Sequence, residues 1–171
     1  MKLKKMVQLS LLITIALTIF VIESYLPPLA PIYGVKLGLA NIITLLVVML
    51  WGWKEALMVF LLRVFLGSMF TGQMAALLYS LVGGGMALFI MVLGKRLLGE
   101  KFTWFISALG GIFHNAGQIL VACYLLNSLA VMIYFPLLLI SGIITGIFTG
   151  VAVQVLILKN IQVRNLFQVK E

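Results

Sequence analysis

Long apolar segments separated by short polar breaks occupy almost the whole chain. A helix that crosses a bilayer needs roughly 20 apolar residues, and the segments come close to that length. We place six membrane helices at about residues 7–26, 36–52, 54–71, 73–94, 103–126 and 132–158. Pro27, Pro28 and Pro31 end the first helix and favour an extended connection to the second. The pattern predicts an all-α integral membrane protein, with one six-helix transmembrane domain over residues 1–171.

The composition supports a membrane location. Hydrophobic residues make up 64% of the chain and charged residues only 9%, which excludes an ordinary soluble domain. A net charge of +8 would by itself suit a nucleic-acid partner, but the basic residues lie between the predicted spans, so we expect none. The first apolar run is longer than a typical signal-peptide core. We interpret it as an uncleaved first span that contacts membrane lipid.

Lysine and arginine are distributed very unevenly between the two ends of the predicted helices. Lys36 lies on one side and Arg63 lies within a span. The other ten basic residues all lie on the opposite side: Lys2, Lys4, Lys5, Lys54, Lys95, Arg96, Lys101, Lys159, Arg164 and Lys170. By the positive-inside rule this side is cytoplasmic. Both termini are therefore predicted to be cytoplasmic.

With this orientation, polar side chains within the spans fall mainly in the outer half of the membrane. The candidates for a substrate-binding site are Glu23, Lys36, Asn41, Arg63, Tyr79, His114, Asn115 and Gln118. His114 and Gln118 are four residues apart and share a helix face. We expect Arg63, His114, Asn115 and Gln118 to line an outward-open pocket, with Lys36 and Asn41 at its rim. Such a pocket would suit a small, partly apolar ligand with an acidic or strongly accepting group.

Less specific interpretations of these residues stay open. His114, Asn115 and Gln118 could bond neighbouring helices, because lipid offers polar groups no partners. His114 as a catalytic base has no accompanying nucleophile or metal set. Arg63 needs compensation for its charge, either from Glu23 as a structural ion pair or from an anionic ligand group held with Lys36. Lys36 could also simply extend its amine to the interface, and Glu23 could contact headgroups.

Other motifs point to packing rather than chemistry. Gly142, Gly146 and Gly150 form a stripe of small residues that permits close helix contact. The glycine run of "VGGGMA" (82–87) lacks the residues of a phosphate loop and predicts a thin stretch of the fourth helix. Cys123 is the single cysteine and fits a packing role. We expect no metal site and no cofactor.

Five sequence stretches together resemble the Gx transporter family, also labelled heptaprenyl diphosphate synthase component I. They are "PIYGVKLGLANI" (31–42), Arg63, "LLYSLVGGGMAL" (77–88), "GGIFHNAGQ" (110–118) and "YFPLLLISGIITGIFTG" (134–150). That family is similar to the substrate-binding S components of energy-coupling factor importers, which are six-helix bundles of the bacterial plasma membrane. The resemblance implies a small-molecule substrate bound from outside, a transmembrane coupling protein and two cytoplasmic ATPases as partners. Many S components dock to their partner through alanines spaced four residues apart on the first helix. The nearest equivalent here is Ser10, Thr14 and Thr18, and Ala16 lies off that stripe.

The second family label suggests an alternative, a membrane subunit associated with heptaprenyl diphosphate synthase and quinone isoprenoid metabolism. Known trans-prenyltransferases hold magnesium on diphosphate with aspartate-rich motifs, because magnesium prefers carboxylate oxygens. This chain has no aspartate, and its glutamates are Glu23, Glu55, Glu100 and Glu171. We therefore expect that the chain is not an enzyme. If it is associated with a heptaprenyl diphosphate synthase, we expect it to be a non-catalytic subunit.

Overall fold

Six α-helices make up most of the part of the chain that the computed structural model describes, residues 3–26, 38–72 and 74–159, with side chains to residue 157. The helices are α1 Leu3–Tyr25, α2 Asn41–Leu50, α3 Trp53–Thr71, α4 Met74–Leu98, α5 Thr103–Leu125 and α6 Phe135–Lys159. Two short 3₁₀ helices, Glu100–Phe102 and Leu129–Tyr134, precede α5 and α6. These described ranges contain no strand, so the predicted all-α class is confirmed for them.

Four helical segments are long and apolar enough to cross a membrane: Leu3–Tyr25, Met74–Leu98, Glu100–Leu125 and Leu129–Ile157. They contain α1, α4, α5 and most of α6, and they make the chain a membrane protein. The helix α3 has 19 residues, but its sequence includes Lys54, Glu55 and Arg63. Its charge content rather than its length sets it apart from the other four.

The second predicted span, 36–52, is wrong as a membrane-crossing helix. The helix α2 has only 10 residues, which is about 15 Å and half of a bilayer core. Gly38 has a φ of +82°, in the left-handed region, so the chain cannot be a right-handed helix at that point. Residues 36 and 37 lie outside the described part of the chain.

The short helix α2 begins at the centre of the bundle and ends at one edge of it. A Cβ added to Gly38, just before α2, would lie 2.9 Å from the ring of His114, the twelfth of the 23 residues of α5. At the other end, the Lys95 amine donates to the carbonyls of Val48 and Met49 at 2.9 and 2.7 Å. Because Lys95 lies near the end of α4, α2 runs from mid-bundle to the connection between α4 and α5.

The helices α5 and α6 pack closely through the predicted glycine stripe. A Cβ on Gly142 would lie 2.6 Å from the carbonyl oxygen of Gly111, and one on Gly146 would lie 2.7 Å from the Cα of Ala108. A Cβ on Gly150 would lie 2.6 Å from the Cα of Trp104. The stripe therefore packs inside the protein, and the packing interpretation of these glycines is confirmed.

Two apolar clusters occupy opposite halves of the bundle. The larger one joins α1, α2, α3 and α4 with the beginning of α5 at Ile106 and the end of α6 at Ile157. The smaller one contains Tyr79 and Ile119, together with residues that precede and begin α6. Since His114 lies between Ile106 and Ile119 on α5, the buried polar side chains around it form a layer between the two clusters.

Candidate functional site

A chain of hydrogen bonds crosses the centre of the bundle and links three helices. The Arg63 Nη2 atom of α3 donates to Asn41 Oδ1 of α2 at 3.1 Å. Asn41 Nδ2 lies 3.2 Å from His114 Nδ1 of α5, and His114 Nε2 lies 3.0 Å from Gln118 Nε2 one turn further along α5. All four side chains are buried. The predicted shared face of His114 and Gln118 is present, and Asn41 joins that face to Arg63. We call these four residues the central network.

The donor and acceptor roles in the central network follow from Arg63. A guanidinium only donates, so Asn41 presents its oxygen to Arg63 and its amide nitrogen to His114 Nδ1. A neutral imidazole that accepts at Nδ1 donates at Nε2, so we assign the amide oxygen of Gln118 to the position facing Nε2. Oxygen and nitrogen of an amide are told apart only by their partners, and the second polar position of Gln118 has no partner. His114 is therefore a neutral link between two amides.

The charge of Arg63 is stabilised by aromatic rings and by Glu23. The guanidinium carbon lies 5.9 Å from the ring centroid of Phe20 and 5.8 Å from that of Phe60. Rings at this distance attract a cation. Arg63 is only 3% exposed, and the negative charge of Glu23 is close enough to attract it. Its Nε atom has no hydrogen-bond partner, so the guanidinium keeps one unused buried donor.

Glu23 binds the backbone just before α2. Its Oε1 atom accepts hydrogen bonds from the N–H groups of Gly38 and Leu39, the second at 3.3 Å. This places a carboxylate at the amino end of a helix, where the helix dipole favours negative charge. Lys95 provides the matching positive charge at the carboxyl end of α2. A half-length helix is thus held at both ends by side chains from other helices.

Asn115 faces a different neighbour from the central network. Its Nδ2 atom donates to the carbonyl of Leu138 on α6, and its Oδ1 atom is buried without a partner. A Cβ on Gly142 would lie 2.8 Å from Asn115 Nδ2, so that glycine provides the space for the amide. Asn115 joins α5 to α6, and one acceptor remains unused there.

Tyr79, a further predicted site residue, does not join the central network. Tyr79 is buried in the smaller apolar cluster, against residues such as Ile119 and Ala122. Lys36 lies outside the described residues, so the predicted rim position of its amine has no counterpart in the described geometry.

Sequence reasoning missed several residues that shape the centre. Phe20 and Phe60 have the apolar character expected of any membrane helix, and only the position of Arg63 shows their role. Gly83 belongs to the glycine run that predicts a thin stretch of α4. A Cβ there would lie 2.7 Å from the carbonyl oxygen of His114, so Gly83 lets α4 approach the central network. The glycine run of α4 was the one sequence feature that could have indicated this close approach.

The region of the chain that matches a known protein family includes all of these residues. A family model described as heptaprenyl diphosphate synthase component I matches residues 12–156. The chain belongs to this family. The match contains every predicted site residue, and it contains all of α2, α3, α4 and α5. No curated protein and no solved structure matches the chain.

A cavity of about 10 Å³ lies beside Asn41 and holds at most about one water molecule. Its lining is partly polar and comes from α2, α4, α5 and α6: Gly38, Asn41, Met91, Ser107, Gly111, Thr145, Gly146 and Thr149. Ser107 and Thr149 hydrogen-bond each other at 3.0 Å on its wall. This cavity therefore has room for a water molecule rather than for a substrate.

The outer face of α1 carries the small hydroxyl residues that the sequence analysis compared with a docking stripe. Ser10, Thr14 and Thr18 are exposed, whereas Ala16 is fully buried. The hydroxyls of Thr14 and Thr18 bond carbonyls of their own helix, at 3.0 and 2.9 Å, and need no partner from another chain. The position of Ala16 off this stripe is thus confirmed.

Proposed function

We propose that this chain is a membrane-embedded substrate-binding subunit of the S-component type. It binds a small vitamin-like or metabolite-like molecule from outside the cell, for an importer of the energy-coupling factor class. Its proposed partners are a transmembrane coupling protein and two cytoplasmic ATPases.

One observation carries this proposal. The polar centre of the bundle contains three buried polar atoms without partners: Arg63 Nε, Asn115 Oδ1 and the outer polar position of Gln118. Polar groups that only join helices are normally all satisfied, because an unpaired buried group costs about 1–3 kcal/mol. Unused donors and acceptors in a buried polar layer are what a polar ligand needs for recognition and orientation.

The half-helix α2 supports the same proposal. Interrupted membrane helices with ends at mid-bundle are a common way of building a substrate site in transport proteins. The amino end of α2 lies beside His114 and within reach of Glu23. Polar and charged side chains of other helices hold α2 at both ends: Glu23, Arg63 and His114 at its amino end and Lys95 at its carboxyl end.

The family description favours a second candidate, a non-catalytic membrane subunit associated with a prenyl diphosphate synthase. The word "component" in that description suggests a partner enzyme subunit. A catalytic role for this chain itself is not proposed. The sequence has no aspartate, and Glu55 and Glu100 lie near Lys5 and Lys95, at 2.6 and 3.9 Å, rather than close to Glu23.

Two measurements on the affinity-purified protein separate these candidates. The first is mass spectrometry of co-purified proteins in mild detergent: a coupling protein with two ATPases supports the importer subunit, and a soluble prenyl diphosphate synthase supports the second candidate. The second is mass spectrometry of small molecules released on denaturation. The wild type should release a non-lipid molecule that Asn41→Leu does not. Thr18→Val, on the outer face of α1, is the matched control and should retain it. Equal release from all three proteins would contradict the proposed site.

A further inference from the structure

We propose that the Glu23 carboxylate occupies the place of a ligand carboxylate at the amino end of α2, and that ligand binding exchanges one carboxylate for the other. This inference rests on the proposed function and gives the substrate a chemical class, a small carboxylic acid. Glu23 would then keep the empty site closed.

The first support is the geometry of the amino end of α2. Two successive backbone N–H groups, those of Gly38 and Leu39, converge on a single carboxylate oxygen. Successive N–H groups at the start of a helix form a favourable site for an anion. The positive φ of Gly38 gives the backbone the turn that brings its N–H to the same oxygen as that of Leu39. The carboxylate bound there is that of Glu23, so these two N–H groups already bind a carboxylate in the protein itself.

The second support comes from Arg63, independently of the helix end. Arg63 is 3% exposed, attracts the charge of Glu23, and donates to Asn41, which is the first residue of α2. Its Nε donor has no partner. A guanidinium that offers a second donor is suited to a planar carboxylate, because the two groups form parallel hydrogen bonds. Glu23 leaves that donor unused, whereas an untethered carboxylate could rotate to accept from it.

The position of Glu23 in α1 makes an exchange physically reasonable. Glu23 lies two residues before the end of α1. Tyr25, the last residue of the helix, is 82% exposed, and Leu26, the residue after it, is 45% exposed. The last turn of a helix unwinds at low cost, because its carbonyls have few intrahelical partners. The packed part of α1, at Phe20 and before, can remain in place while the carboxylate leaves. The released position then lies at the amino end of α2, beside the N–H groups of Gly38 and Leu39.

The test is chemical rescue of Glu23→Ala by small carboxylates. The variant protein, purified in detergent, is melted in sodium chloride, sodium acetate, sodium formate or acetamide, a neutral molecule with the shape of acetate. Acetate and formate should raise the melting temperature of Glu23→Ala in a saturable manner. At ten times its dissociation constant, a ligand specific for the native state should raise it by about 3–6 °C. Acetamide should give no such rise.

Glu55→Ala is the matched control, because it removes a carboxylate from the Lys5 ion pair at the other end of the bundle. Acetate should not raise its melting temperature beyond the effect on the wild type. Arg63→Gln combined with Glu23→Ala should abolish the rescue. If acetate stabilises Glu23→Ala no more than Glu55→Ala, the proposed exchange is wrong.

If Glu23→Ala is lost during purification, the same solutes are added from solubilisation onward and the yield of monodisperse protein is measured. Recovery with acetate but not with acetamide supports the exchange, and equal recovery with both solutes, or with neither, overturns it. Failure of the proposed function looks different: carboxylate rescue without any released small molecule would leave an anion site in a protein that binds no substrate. A released small molecule without rescue would leave a substrate-binding protein that holds its ligand elsewhere.

Discussion

The three consecutive glycines of α4 provide a stringent test of the described packing, because one methyl group should have opposite effects at neighbouring positions. At Gly83 the new Cβ would lie 2.7 Å from the carbonyl oxygen of His114. An ordinary contact begins at 3.4 Å, so the two helices must separate by several tenths of an ångström. At Gly85 no atom lies within 4 Å of the new Cβ.

The magnitude follows from comparing the two variants. Replacing glycine by alanine in a helix adds up to about 1 kcal/mol of intrinsic stability at either position. That contribution cancels in the difference, which leaves the cost of overpacking at Gly83, about 1–3 kcal/mol. The obstacle is a backbone oxygen, so no change of rotamer relieves it. For a chain of this size the difference corresponds to about 2–12 °C in melting temperature.

The assay is thermal unfolding of Gly83→Ala and Gly85→Ala in one detergent, followed by the loss of the monodisperse peak. Gly84→Ala should fall between them, because its new Cβ meets the ring of Phe60, which can move. Gly85→Ala should melt at or above the wild-type temperature. Equal melting temperatures for Gly83→Ala and Gly85→Ala would refute the described approach of α4 to His114.

Three further predictions concern other parts of the bundle. Gly146→Leu should abolish folded protein, since its Cβ would lie 2.7 Å from the Cα of Ala108, and unchanged yield and stability would show that α6 does not pack there. Lys95→Met should lower stability by about 1 kcal/mol, because the carbonyls ending α2 lose a cationic donor, and an unchanged denaturation midpoint would contradict this role. With the native cysteine removed, a cysteine at Gly99 should resist impermeant thiol reagents in intact cells, whereas one within residues 27–35 should react. The reverse pattern would overturn the predicted orientation.

The sequence pattern was sufficient for the long helices. The predicted spans 103–126 and 73–94 correspond closely to α5 and α4, because continuous apolar runs bounded by polar or glycine-rich breaks leave little freedom for membrane helices. The shared face of His114 and Gln118 also follows directly from helical periodicity. These features depend on local sequence alone.

The second helix shows where local reasoning ends. The segment 36–52 is apolar enough for a span, but the turn at Gly38 is held by Glu23, which is fifteen residues away in the chain. The contact of Lys95 with the end of α2 could not be predicted either, because a lysine at a membrane boundary usually indicates only an interface position. Both interactions depend on how helices pack against one another, which the pattern of a single sequence does not record.

His114 and Asn115 contact different helices, and this too depends on how the helices pack. The two residues are adjacent in sequence, so their side chains point about 100° apart around α5. The sequence predicted one site for both. The structure directs His114 towards Asn41 of α2, and Asn115 towards the Leu138 carbonyl of α6. Which neighbour lies on which side of α5 is a property of the bundle.

The central claim is that the polar centre recognises a ligand rather than only joining helices. The most direct measurement is native mass spectrometry of the wild type beside the double variant Glu23→Gln with Arg63→Gln, which removes both opposite charges together. The account predicts that the double variant remains folded, with a melting temperature near that of the wild type, and carries none of the small molecule that the wild type carries. A double variant that is stable and still carries that molecule at the wild-type level would contradict the account, and it would leave the central network as a connection between helices.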